Sequence, residues 1–231
     1  MSEGARRRVQ ILGWALIWTG ALIFGYLAWN LFGTDLVNAR VQADATVSIE
    51  ETFSETRQSL PPAEEVEIED GESIAYSPED SPAEGVEVGI MRVPKLALQA
   101  VIFSGVTTET LKKGPGLLPG TPMPGQPGNV VISGHRTTYG RPFYDFDLLA
   151  PGDRIEVETA IGTHVYEVKD SFIVAPDGVW VTEHKPGGWL TLTTCNPKFS
   201  ARERLIVSAE MIEGPNLEYV RALEERMERI A

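Results

Sequence analysis

From Val9 to Phe32 the chain carries no charged side chain, and only Gln10, Thr19 and Asn30 interrupt the run as clearly polar residues. Uncharged over this length and preceded by a basic flank, it reads as a membrane span rather than a buried core helix. At about 1.5 Å per residue, roughly 20 helical residues cross a ~30 Å hydrocarbon layer. Trp14, Trp18, Tyr26 and Trp29 fall partly near its ends, where amphipathic rings favour the headgroup region. Arg6, Arg7 and Arg8 precede the run, and only Arg40 comes shortly after it. That asymmetry places residues 1–8 in the cytoplasm, 9–32 in the membrane and the rest of the chain outside the cell. A cleaved signal peptide is the competing reading, because Ala43, Asp44 and Ala45 form a small-x-small site. The run exceeds the ~7–15 apolar residues of a signal, however, and the site sits well beyond its end. Both readings export the remainder of the chain.

Residues 33–87 are acidic and poor in aromatics, with Glu50, Glu51, Glu55, Glu64, Glu65, Glu67, Glu69, Asp70 and Glu72 among small residues and prolines. Such a stretch buries too little apolar surface to offset its ordering entropy, so a flexible, self-repelling spacer is expected there. The net charge of −13 argues against nucleic-acid binding, which needs clustered Lys and Arg.

From Val88 the pattern changes to short apolar runs. Residues 88–106 hold two of them, broken by Pro94 and read as edge-like strands. Residues 107–113 suit a short helix stopped by Gly114 and Pro115, and 117–128, rich in Gly and Pro, a loop. Residues 129–133 form a buried strand that ends at Gly134 and His135, and a brief helical piece is expected at 143–149. Strands are expected at 154–158, 165–174, 190–195 and 205–211, with a longer loop at 176–188 before the third of these. Seven or eight short strands with little helix make residues 88–212 an all-β barrel or sandwich. Residues 213–231 differ: Leu217, Val220, Leu223, Met227 and Ile230 recur at helical spacing, as in an amphipathic helix packed on the domain.

The single cysteine, Cys195, closes the strand 190–195, in which Leu190, Leu192 and Thr194 point one way and Thr191, Thr193 and Cys195 the other. One cysteine forms neither an intrachain disulfide nor a thiolate zinc site, and an unpaired thiol outside the cell is an oxidation liability unless it is used. Arg204 opens the next strand, so antiparallel pairing of the two would bring it close to Cys195. His135 alone among the three histidines comes directly after a buried strand and a glycine, whereas His164 lies inside a strand and His184 in a charged loop. A histidine beside a thiol favours the nucleophilic thiolate. An arginine keeps its proton and so serves as a clamp for an oxyanion, not as a base. The plainer readings are a small buried cysteine, a structural histidine and a surface ion pair.

TLTTC at 191–195, Arg204 before Leu205, Ile206 and Val207, GHRTTYG at 134–140 after GNVVIS, and VPKLAL upstream together resemble the class E sortases of actinobacteria. The resemblance spans about residues 86–212 and leaves out the acidic stretch and the C-terminal helix. It implies an eight-stranded sortase β-barrel behind one N-terminal transmembrane helix, with His135, Cys195 and Arg204 as the catalytic set. It further implies a cysteine transpeptidase that cuts a sorting signal, Leu-Ala-x-Thr-Gly, between Thr and Gly in exported proteins. The acyl group would pass through a thioester on Cys195 to a cell-wall peptidoglycan precursor amine. In such an enzyme Tyr139 is the candidate for sensing the second signal position. Thr194 is a candidate to meet the signal or oxyanion through its hydroxyl or amide, and Trp180 and Val181 to wall the peptide groove. No cofactor is implied, and no carboxylate cluster near the groove calls for a metal.

Three other readings remain. An L,D-transpeptidase also uses exported Cys, His and Arg, but keeps its histidine and cysteine together in an SHGC-like motif, whereas His135 and Cys195 stand 60 positions apart. A hydrolytic cysteine peptidase differs only in using water to resolve the thioester. A membrane-tethered binding domain would leave Cys195 incidental.

Overall fold

The computed structural model describes residues 3–69 and 72–230; Asp70 of the acidic stretch, its neighbour Gly71, and the first two and last residues of the chain lie outside the described residues. Helix α1 (Glu3–Ala28) is long and apolar enough to cross a membrane, and none of its residues is buried against protein. A π-helical turn at Trp29–Gly33 carries it into a second helix, α2 (Thr34–Ser59).

Helix α2 corrects the expectation of a flexible spacer. Asn38, Ala45, Ile49 and Phe53 are buried along it. Ala45, Ile49 and Phe53 form a small core with Ile90, Val101 and Phe103 of the domain. Together with Gln42 these positions recur at intervals of three or four, one face of a helix, while Glu50, Glu51 and Glu55 lie exposed on the other. Arg57 near its end ion-pairs with Glu158 at 2.9 Å and donates to the carbonyl of Thr159. Of the acidic residues that suggested disorder, Glu50, Glu51 and Glu55 are the solvated side of a docked helix, while Glu64, Glu65, Glu67, Glu69 and Glu72 belong to the hairpin that follows it. Strands β1 (Glu64–Glu69) and β2 (Glu72–Tyr76) then form an antiparallel hairpin. Residues 77–86 run along the domain, where Gly85 N–H donates to Ser104 O and the Ser104 hydroxyl to Pro82 O, both at 2.8 Å.

The domain comprises β3 (Glu87–Val93), β4 (Leu98–Ser104), helix α3 (Thr108–Lys113), β5 (Gly116–Leu117), β6 (Gly128–Ser133), β7 (Arg154–Thr159), β8 (Gly162–Val174), β9 (Gly188–Asn196) and β10 (Glu203–Glu213). Its eight strands close into a barrel in the order β10-β8-β7-β3-β4-β5-β6-β9. Pairing is antiparallel except for β4 with β5 and β6 with β9. The runs read as edge-like are interior: β3 lies between β4 and β7, and β4 between β3 and β5. Pro94, which suggested an edge, sits in the short turn Pro94–Leu96 that joins them, where its missing N–H costs no ladder bond.

The barrel interior is filled by alternate residues of these strands, among them Met91, Ile102, Val130, Ile132, Val157, Leu190, Leu192 and Val207. Helix α4 (Leu217–Ile230) lays Val220 and Leu217 on that core, as its periodicity foretells. Tyr219 of α4 also packs at a tilt against Tyr76 of β2, with ring centroids 4.2 Å apart.

Candidate active site

The site begins as a consequence of register. Strands β9 and β10 are antiparallel neighbours in which Arg204 sits directly across from Cys195. On the other side of β9, β6 runs parallel to it and places Ser133 beside Thr193. The ladder extends one step further, with Gly134 N–H donating to Thr193 O at 3.1 Å. The next residue, His135, therefore leaves the barrel at the end where Cys195 emerges. Thr193, Cys195, His135, Gly134 and Arg204 line one cavity of about 300 Å³, closed on its apolar side by Val106 and Leu111.

Each group has a distinct environment. Cys195 is part-exposed and free. Burial holds the His135 imidazole below its ordinary pKa, and its Nε2 is buried without a hydrogen-bond partner. Arg204 Nη1 donates to the carbonyls of Ala201 and Glu203, both at 2.9 Å. Those two bonds aim the guanidinium and leave its Nε and Nη2 donors for a ligand.

The other expected residues fall differently. Thr194 lines the cavity, but its hydroxyl donates to Gly134 O at 2.7 Å and is buried. A hydroxyl has one proton, so this one is not left for an oxyanion. It pins the histidine-bearing segment to the cysteine strand instead. The Tyr139 ring packs against His135, centroids 5.1 Å apart, and faces a second cavity between α2 and α3. Trp180 is half exposed and stacks on Phe172 with centroids 5.8 Å apart, while Val181 is buried; neither is among the residues lining the Cys195 cavity.

One residue of the site escapes sequence reasoning. Arg136, next to His135, is 4% exposed and bridges the site from behind. Its Nη1 donates to Cys195 O at 3.3 Å and to Asn196 Oδ1 at 2.6 Å, and its Nη2 pairs with Asp147 at 3.0 Å. A buried guanidinium thus fixes the backbone of Cys195 from the loop that carries His135. The only signal was adjacency to His135, which does not distinguish an inward from an outward side chain. Among the described residues no group of three His, Cys, Asp or Glu side chains is placed to hold a metal ion.

The chain as a whole resembles known proteins. A sortase domain profile matches residues 91–212. Sortase SrtE1 of Streptomyces coelicolor is 29% identical over 223 residues, covering 88% of this chain, which itself spans 57% of that relative's length. Sortase D of Bacillus subtilis is 27% identical over 79% of this chain and 86% of its own. The structure of a Clostridium perfringens sortase D5 transpeptidase superposes with a TM-score of 0.61 at 25% identity, covering 75% of this chain and 99% of that one. Sortase E of Streptomyces avermitilis superposes with a TM-score of 0.52 at 33% identity, covering 57% of this chain and 91% of that one. With the domain profile spanning more than half its length, and a closed eight-stranded barrel that gathers a cysteine, a histidine and an arginine at one end, the chain belongs to the sortase family.

Proposed function

We propose that this chain is a membrane-anchored cysteine transpeptidase, with residues 1–8 cytoplasmic and the barrel outside the cell. The observation that carries the reading is the shared cavity of Cys195, His135 and Arg204, with Arg204 opposite Cys195 in the β9–β10 ladder. The substrate is an exported protein bearing a Leu-Ala-x-Thr-Gly sorting signal. As the Cys195 sulfur bonds to the threonine carbonyl carbon, its proton passes to His135, whose burial favours the neutral, proton-accepting imidazole. Charge gathers on the carbonyl oxygen, where Arg204 stabilises it. The C–N bond to glycine then breaks, the departing nitrogen takes the proton from His135, and a thioester on Cys195 remains. An incoming cell-wall amine reverses the sequence: it attacks the thioester, yields its proton to His135, and releases the sulfur, which is reprotonated. Tyr139, packed on His135, is our candidate for reading the second signal position, and the exposed Trp180 for bounding the peptide farther from the sulfur; Val181, being buried, is not available for contact.

The test is a mass spectrum of the protein mixed with a Leu-Ala-x-Thr-Gly peptide, before and after addition of an amine. An acyl adduct on Cys195, absent in Cys195→Ala and converted to the amide product by amine, is expected. Peptide acid alone at every amine concentration would establish hydrolysis in place of transfer.

A further inference from the structure

Tyr139, Gly140 and Arg141 are three successive residues with left-handed backbone, at φ 52°, 77° and 49°. Two of the three carry a Cβ, which disfavours that conformation, so the loop needs an outside hold. Helix α2 supplies one. Asp35 accepts the Gly140 N–H at 2.9 Å through one carboxylate oxygen and pairs with Arg141 at 2.8 Å through the other. One turn on, Asn38 donates to the carbonyls of Lys112 and Lys113 at 2.9 Å, and Gln42 donates to Lys113 O at 2.8 Å. These bonds hold the end of α3, the helix whose Leu111 lines the cysteine cavity. The fit is close, since a Cβ on Gly140 would run into the Asn38 amide.

We propose that the first turns of α2, from Asp35 to Gln42, belong to the active-site framework and that Asp35 is a positioning residue, holding the 139–141 loop so that Tyr139 keeps His135 in place. The inference rests on the transpeptidase reading of the same cavity. It assigns to the segment between membrane and barrel a part in turnover that a tether does not have.

The experiment uses the full chain in lipid nanodiscs and compares wild type with Asp35→Ala, Asp35→Asn and Arg57→Ala. Arg57 anchors the far end of α2, so it controls for general loss of support. Asp35→Ala is expected to lower kcat on the sorting peptide by about tenfold with KM within about twofold, the pattern of a displaced reacting group. Asp35→Asn, which keeps an oxygen for Gly140, should return to within about threefold of wild type. Arg57→Ala should leave kcat unchanged. Amide exchange in 136–143 should quicken in Asp35→Ala alone. Equal losses in Asp35→Ala and Arg57→Ala, or no change in exchange in Asp35→Ala, would overturn the proposal. A wild type that fails to acylate would refute the transpeptidase reading, while the exchange comparison still decides whether Asp35 holds the loop.

Discussion

Lowering the pH should unfasten the barrel at His164, at the end remote from Cys195. The ring is wholly buried. The Thr159 hydroxyl gives its proton to Glu79 at 2.6 Å and so must accept from His164 Nε2–H, 3.2 Å away. That fixes the neutral tautomer and leaves Nδ1 bare, buried and without a partner. The backbone of Gly214 crowds the ring so closely that an added Cβ would lie 2.8 Å from Nδ1. Burial accordingly pushes the pKa down from 6.5 to about 4.

Because the folded-state value lies below the ordinary one, the stabilisation is complete above about pH 6.5 and is lost as pH falls toward 4. At ~1.36 kcal/mol per unit, the loss between pH 7 and pH 4 comes to about 3 kcal/mol. Glu79 works in the opposite sense: burial raises its pKa, so the folded chain takes that proton before the unfolded one does. Comparing variants removes this contribution to first order. Urea unfolding of wild type and His164→Gln, monitored by tryptophan fluorescence at pH 7 and pH 4, should show the wild type losing about 3 kcal/mol more than the variant. Parallel losses in the two proteins would refute the buried neutral imidazole.

Other consequences are as direct. Arg136→Met preserves bulk but strips donors from Cys195 O, Asn196 and Asp147; a stability loss of about 2–4 kcal/mol is expected by chemical denaturation, and unchanged stability would deny the bridge. Phe53→Ala should cost about 3–5 kcal/mol in the same assay if α2 is docked, and next to nothing if it is a loose linker. Arg204→Lys should lower kcat by about 10²–10³-fold through poorer alignment on the oxyanion, measured with a quenched sorting peptide. A loss below threefold would remove Arg204 from that role.

Where one residue pattern maps onto one environment, the fold was legible from sequence. The alternation through 190–195 places Leu190, Leu192 and Thr194 on one face, and the barrel buries those three as the pleat requires. Arg204 at the mouth of the next strand implied the pairing with Cys195 that β9 and β10 show. Pattern reading failed on α2 because the stripe it turns to the domain is narrow and built partly from Asn38 and Gln42, polar residues whose side chains are satisfied by carbonyls of α3 and β4. Composition weighed the exposed glutamates and missed the stripe. Arg136 and Thr194 illustrate a second limit. Both act through hydrogen bonds to backbone atoms distant in sequence, and a backbone carbonyl has no residue type by which to announce its partner.

The continuity from α1 through α2 bears on where this barrel can work. A floppy leash of some 55 residues would let its load roam with a root-mean-square reach of about 40 Å. The rod formed here instead grips the barrel from Asp35 onward, seven positions beyond Ala28, which is about 10 Å of helical rise. With α1 seated in a bilayer, the catalytic mouth would ride at one fixed altitude, skimming the headgroups. Under the proposed transpeptidase reading, substrates moored at that height would meet it; those held farther from the bilayer would not.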